Sequence, residues 1–394
     1  MVSDKGSCLG DYFSSSRDKG EIGLPLLSVT LHDGIVGRDK LDRRTETNLA
    51  PEDHLLVREG DIAYNMMRVW QGALGRAQFD GIVSPAYIVL RAKKNVDTKY
   101  AEYFFNTSKM IYLFWAYSYG ITSDRLRLYF NDFKRIPVIF PPLAEQRKVV
   151  KILSSWDKAI CVAEKLVDNS AQQKKSLMQK LFGGDKRFPE YDGKFKRCHF
   201  SDVLEIDSES LGSKTSAEFK FKYISLSDVD AGNISDDVEV HLFASSPSRA
   251  RRIVRAGDIL LATVRPNLQG FAVVKKEHEG FVASTGFAVL RPRSGVCGDY
   301  IYHYLFSAHI AGQINYLVVG TNYPAINSSD VAGLSIYCPE YEEQLKIAAV
   351  LNACDAVIVS LKEKVELLRQ EKKALMQRLL NGKCPNVVGD INVA

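Results

Sequence analysis

The stretch 141-PPLAEQRKVVKIL-153 returns as 339-PEYEEQLKIAAVL-351, and the reading of this pair decides the fold. Glu145 and Gln146 fall on Glu343 and Gln344 at an offset of 198 (343 − 145), and the offset continues without a gap. Lys148, Leu153, Asp157, Ile160, Val167, Gln172, Lys174, Lys175, Leu177, Met178, Gln179, Leu181 and Gly184 recur as Lys346, Leu351, Asp355, Ile358, Val365, Gln370, Lys372, Lys373, Leu375, Met376, Gln377, Leu379 and Gly382. A gapless echo of that length is an internal duplication, which constrains the architecture before any other feature does.

Each copy reads as one long helix. Val149, Leu153, Trp156, Ile160, Ala163, Val167, Ser170, Lys174, Leu177 and Leu181 advance by alternate steps of four and three, a heptad seam with polar breaks at Ser170 and Lys174. In the second copy Ile347, Leu351, Cys354, Ile358, Leu361, Val365, Leu368, Lys372, Leu375 and Leu379 are broken only by Lys372. Prolines ahead of an acidic first turn, and Gly183-Gly184 or Asn381-Gly382 behind, supply the start and stop. About 38 helical residues make a rod of roughly 57 Å. The expected fold is α+β: two globular domains separated by two long antiparallel coiled-coil helices with a pseudo-two-fold internal repeat.

The chain is 394 residues long, 46% hydrophobic and 25% charged, with room for two cores beside the rods. No run of about 18 apolar residues is evident and MVSDKGSCLGDYF is not a signal peptide, so a cytoplasmic protein without membrane contact is expected. Seven cysteines form no CxxC pair, which points to reduced thiols rather than a zinc site or a disulfide framework. A net charge of +5 is a weak pointer to nucleic acid.

The expected divisions are a first domain over 1–140, a first helix over 141–184, a second domain with its lead-in over 185–338, a second helix over 339–384 and a tail over 385–394. The two domains echo each other faintly: VREGDI (57–62) by VRAGDI (254–259), Arg68 by Arg265, and VLR (89–91) by VLR (289–291). AYIVLR, GFAVLR, KFKYISL and IPVIF read as short strands, and AEYFFNTSKMIYLFWAYS and YIYHYLFSAHIAGQINYLV as apolar helices.

Enzyme machinery is hard to find. There is no GxxxxGK[ST] and no HExxH, and Asn322-Tyr323-Pro324 has the wrong order for an amino-methyltransferase tetrapeptide. Glu52-Asp53 and Asp61 near Lys93 is a spacing that almost any charged chain permits.

Nucleic-acid signals are better. SPSRARRIVRAGD carries Arg249, Arg251, Arg252 and Arg255, suited to phosphates. In the first domain NMMRVWQG (Asn65, Arg68, Trp70, Gln71) and YSYGITSDRLRLYF (Tyr119, Ser123, Arg125, Arg127) mix guanidinium, amide and aromatic groups; Arg suits guanine edges and Asn or Gln suits adenine edges. Their counterparts are TVRPNLQG (Thr263, Arg265, Asn267, Gln269) and VGTNYPAINSSD (Thr321, Asn322, Tyr323). From the residues alone, a DNA-binding module and a two-domain protein-binding scaffold with a coiled-coil spacer both stand.

Two divergent domains, each closed by a P-x-x-x-E-Q helix ending near L-M-Q-[KR]-L-[FL], with RFPEYDGKF (187–195) leading into the second, resemble the specificity subunits of Type I restriction-modification systems. The resemblance implies two target-recognition domains, each reading one half of a bipartite, asymmetric site in double-stranded DNA, and no catalysis in this chain. It implies that the helices fix the gap between the halves and dock two methylation subunits. S-adenosylmethionine then belongs to those subunits, and ATP and Mg to restriction subunits joined through the complex. Rod residues expected to face partners are Glu145, Gln146, Lys174, Lys175 and Gln179, with Glu343, Gln344, Lys372, Lys373 and Gln377.

Overall fold

A computed structural model of the chain describes residues 7–31, 33–41, 49–122, 125–230, 232–318 and 324–380. Two helices of 40 residues each, Leu143–Phe182 and Tyr341–Leu380, dominate it. The chain divides into two compact units, Met1–Ala163 with Lys364–Ala394, and Glu164–Glu363, so each unit holds the first half of one long helix and the second half of the other.

Every seam position in both copies is buried or half-buried. In the first unit Val149 and Leu153 share a core with Leu380 and with the partly buried Leu375, Met376 and Leu379, while Asp157 meets Lys372. Rising numbers on one helix thus meet falling numbers on the other, which makes the pair antiparallel. The second unit repeats this, with Ile347, Ala348 and Leu351 packed in one core with Met178, Leu181 and Phe182. The lysines that interrupt the seam are explained by the same geometry. Lys174 Nζ lies 2.5 and 2.6 Å from the two Asp355 carboxylate oxygens, and Lys372 pairs with Asp157, its image under the 198 offset. A cation at a seam position is tolerated where an acid on the facing helix reaches it, and such a pair pins the register.

The helix Tyr341–Leu380 contains an 18-residue window of mean hydropathy 1.5, long and apolar enough by composition to cross a membrane. That window is not an uninterrupted apolar run, since every 18-residue stretch of the helix holds charged residues, and Leu351, Ile358 and Leu361 contribute to it as seam residues facing Leu143–Phe182.

Each unit carries the same antiparallel sheet. Phe13–Ser16, Tyr87–Ala92, Ile62–Asn65 and Leu74–Arg76 lie side by side in that order, and Leu204–Ile206, Phe287–Pro292, Ile259–Ala262 and Phe271–Val273 reproduce it. Continuous apolar runs such as Ile259–Ala262, buried at every residue, mark the strands covered on both faces. The faint VRxGDI echo is structural: Gly60 and Gly257 take φ of 90° and 88°, where a side chain would be strained. The aspartate that follows each glycine accepts from the backbone of Arg58 or Arg255. The same two carboxylates, 7% and 1% exposed, hold Arg91 at 3.4 Å and Arg291 at 2.8 Å.

The shared glutamine of P-x-x-x-E-Q has an equally local cause. Gln146 Oε1 accepts from Asp97 N at 2.8 Å while its Nε2 donates to the carbonyls of Asn95 and Pro141. Gln344 likewise accepts from Cys297 N and donates to Pro339 O. Asp97 and Cys297 are the N-caps of Thr98–Phe105 and Gly298–Leu305, so one side chain ties the start of each long helix to a neighbouring helix of its domain.

Two sequence expectations change. Each apolar helix is two helices, Thr98–Phe105 with Ser108–Ala116 and Gly298–Leu305 with Ala308–Leu317, because Thr107 and Ser307 accept from the backbone as N-caps and restart the chain. IPVIF is not a strand: Pro137 makes one bridge to Cys8, whereas its counterpart Ser335–Cys338 pairs along its length with Lys196–His199.

Candidate nucleic-acid interface

In the first unit the two tracts singled out above come together. Met66 O accepts from Leu128 N at 3.0 Å, and the buried Tyr64 hydroxyl donates to Leu128 O at 3.2 Å. Tyr119 and Arg127 exchange both backbone hydrogen bonds, 3.1 and 3.0 Å, to form a small hairpin. Gly120 is required inside it, since a Cβ there would lie 2.3 Å from Arg125 O. The 3-10 turn Val69–Gln71 presents Arg68 and Gln71 as exposed residues beside the exposed Tyr119, Arg125 and Arg127. Asn65 and Trp70 also shape the loop from within, since Asn65 Oδ1 accepts from Met67 N and the Trp70 indole donates to Met67 O. Ser123 lies outside the described residues.

The second unit joins the equivalent tracts. Arg265 N donates to Pro324 O at 2.7 Å, Ile326 N to Thr263 O at 2.9 Å, and Val264 bridges Ala325. Arg265, Asn267 and Gln269 are exposed around the 3-10 turn Pro266–Leu268. Arg265 and Gln269 hold left-handed backbone, φ 50° and 53°, and in the first unit a glycine, Gly72, takes the position after the turn. A non-glycine residue there costs on the order of 1 kcal/mol, and such strain concentrates where a side chain serves a function. Thr321, Asn322 and Tyr323 lie outside the described residues.

Two expected DNA contacts are corrected. Thr263 is 6% exposed and donates to Gly286 O, closing its own strand. Arg252 is bound 2.5 Å from Asp207 and reaches Ser328 Oγ, so it ties a strand to the helix Ser328–Gly333 instead of facing a phosphate. Arg251 is half-buried, donating to Ala250 O with its guanidinium 5.0 Å from the Phe243 ring. Arg249 is exposed, and Arg255 is paired with Glu209.

The rod candidates separate in the same way. Gln146, Gln344 and Glu343 are buried, the last on Arg187 at 2.6 Å, and Lys174 and Lys372 are used across the seam, so these five have partners within the chain. Glu145, Lys175, Gln179, Lys373 and Gln377 are exposed. The sequence could not separate Glu145 from Glu343, because the difference lies in the RFPEYDGKF segment: Arg187 and Glu190 fold onto Glu343 and Lys346.

Chemistry elsewhere is structural. Asp61 holds Arg91, and Lys93 donates to Gly10 O at 2.7 Å, so these two members of the suspected nuclease spacing have separate partners. No cluster of three or more His, Cys, Asp or Glu suited to a metal occurs among the described residues. His303, fully buried, stands where the first unit has Tyr103; each bears on the aspartate of its interhelix ion pair, Tyr103 by donating to Asp157 and His303 with Nδ1 3.9 Å from Asp355. Burial lowers the His303 pKa from its usual value. The sequence reading missed Tyr112 and Trp115, placed inside an apolar helix yet 62% and 49% exposed.

Comparison with known proteins agrees with this geometry. The model of the Type I restriction modification DNA specificity domain matches twice, over residues 10–167 and 201–369. The chain is 25% identical over 359 residues to the Type I restriction enzyme MjaVIII specificity subunit of Methanocaldococcus jannaschii, covering 84% of this chain and 80% of that one. It is 23% identical to the putative MjaX specificity subunit of the same organism, covering 94% and 89%. Among solved structures, one from work on complex assembly and conformational transition of the type I R-M system superposes with a TM-score of 0.61 at 18% identity, covering 96% of this chain and 98% of that one. The specificity subunit from M. genitalium gives 0.53 at 15% identity, covering 96% and 97%. With two matches of the family model covering most of its length, the chain belongs to the Type I restriction-modification DNA specificity family, and it is a non-catalytic DNA-recognition subunit.

Proposed function

We propose that each unit reads one half of a bipartite, asymmetric site in duplex DNA, and that the spacer helices (141–184 and 339–384) between the target-recognition domains (1–140 and 185–338) fix the gap. The observation that carries this reading is that both units bring the same two tracts together, 65–71 with 117–128 and 263–269 with 324–327, on the same sheet, with different side chains exposed. In the first unit the readers are Asn65, Arg68, Trp70, Gln71, Tyr119, Arg125 and Arg127; in the second they are Arg265, Asn267 and Gln269, with Arg249 on the backbone. Arg and Gln have the donor and acceptor geometry for base edges.

Two methylation subunits dock on the helices. What supports this is a stripe repeated in both copies at exposed positions: Asp168, Gln172, Lys175 and Gln179, and Glu366, Gln370, Lys373 and Gln377. The steps of four, three and four keep each stripe on one helix face. Exposed residues that no core constrains drift apart after a duplication, so an exposed face kept in both copies fits a partner that meets it twice. S-adenosylmethionine serves those partners, ATP and Mg serve restriction subunits recruited through the complex, and the assembly works in the cytoplasm.

The test is genome-wide mapping of N6-methyladenine in a host expressing this chain with its methylation subunit, against a host lacking this chain alone. A bipartite motif with a fixed gap that appears only with the chain is the expected result. No difference in methylation between the hosts would overturn the proposal.

A further inference from the structure

The face of the helix Ser108–Ala116 that points away from the core differs from that of its counterpart Ala308–Leu317. Their buried faces match: Met110 and Phe114 are fully buried, and Ile310 and Ile314 occupy the same places. On the exposed side the first unit carries Tyr112 and Trp115, rings 5.8 Å apart and tilted by 35°, where the second carries Gly312 and Asn315. Packing therefore does not account for the aromatics. The second unit exposes a ring elsewhere on its helix, Tyr316, but a pair of rings at these two positions occurs in one copy only, as a ligand met by that copy alone would select.

Their surroundings connect them to the reading loop. Trp70, Asn106, Ser108, Ile111, Tyr112, Trp115 and Lys373 line one groove of about 540 Å³. Trp70 belongs to the 3-10 turn that presents Arg68, and Lys373 brings a cation to the groove. The second unit has the counterpart groove, about 1710 Å³, lined among others by Leu268, Ala308, Ala311 and Lys175. Its lysine is kept and the positions of Tyr112 and Trp115 carry no ring, while Tyr302, Tyr304, Phe306 and Tyr337 line other parts of it. A partner protein docking once on each repeat would meet the same chemistry twice, which fits the lysine; DNA half-sites of different sequence fit the part that differs.

We propose that Tyr112 and Trp115 contact the DNA beside the half-site read by the first unit and help determine its sequence preference. This rests on the proposed reading of one half-site per unit. The chemistry is that of aromatic rings against thymine methyls, sugar edges or partly unstacked bases.

The experiment uses the full chain assembled with its methylation subunits. Trp115→Asn, which installs the residue the second unit carries, and Tyr112→Ala are compared with the unaltered complex by binding to duplexes randomised at and beside each half-site, and by methylation mapping. The expected result is a loss of roughly tenfold in affinity for the cognate duplex. Preference relaxes at or next to the first unit's half-site, and the other half-site is unchanged; Trp115→Phe restores most of the affinity. Unchanged affinity and motif in both variants would overturn the proposal. So would loss of assembly with the methylation subunits while DNA preference is kept, which would assign the rings to a protein partner. A failure of the underlying reading is visible separately, as the absence of a two-part motif for the unaltered complex.

Discussion

One unit shows Tyr112 and Trp115 where the other shows Gly312 and Asn315, and it closes its 3-10 turn with a glycine where the other forces Gln269 into left-handed backbone. Beneath those differences the two share a strand order, a buried aspartate–arginine pair and a glutamine bracket. The contrast teaches that duplication preserved whatever is answered from inside the fold. A buried Asp61 or Asp258 cannot change without taking a partner from both an arginine and a backbone N–H. An exposed Tyr112, Trp115 or Asn267 answers only to what lies outside, and there the copies went separate ways.

The most severe way to break the comparison is to lengthen the shared part. Inserting one heptad at matching positions of both long helices adds about 10 Å of rod, or about 3 base pairs of gap, with both half-sites kept. A methylation map showing the original gap would contradict the ruler.

Removing a bracket comes next. Gln146→Ala or Gln344→Ala strands backbone groups that the buried amide satisfies, at a cost of about 2 kcal/mol in unfolding free energy, while recognition by the folded protein stays intact. Glu145→Ala, at an exposed position, should change stability by less than about 0.5 kcal/mol. Denaturant melts of the three variants check this, and equal effects would mean that Gln146 is no bracket.

The smallest expected effect is on pH. His303 is buried with its pKa lowered chiefly by desolvation, so below about 6.5 the unfolded chain takes up a proton that the folded unit refuses. Asp299, Asn352, Asp355 and Lys174 face it. Stability of the second unit should therefore be full above that pH and fall as the medium is acidified, by no more than about 1.4 kcal/mol per pH unit. The first unit, with Tyr103 in that place, lacks this contribution. Melting of His303→Gln at pH values of about 7.5 and about 5.5, on either side of the ordinary histidine pKa, should show a smaller acid loss than the unaltered chain. An identical loss would remove His303 as the cause.

Much of this was legible in the sequence because the duplication acted as an alignment within one chain. The rods, their antiparallel pairing and the family could be read from a heptad seam and the P-x-x-x-E-Q phrase. The seam even flagged Lys174 and Lys372 as anomalies, although only the fold shows that Asp355 and Asp157 answer them. The helix breaks at Thr107 and Ser307 were missed because an apolar run masks a single capping residue. Site residues were harder. Thr263 and Arg252 look like any polar loop residue until Gly286 O and Asp207 are seen beside them. Tyr112 and Trp115 look like core until their neighbours on the buried face are known.

The most direct test of the central claim, one scaffold used twice with different readers, is to map methylation motifs for Arg68→Ala and Arg265→Ala side by side. The account predicts that each variant relaxes its own half of the motif, by about 1–3 kcal/mol of discrimination at the affected base, and leaves the other half and the gap untouched. Relaxation of both halves by either change, or of neither by both, would contradict it.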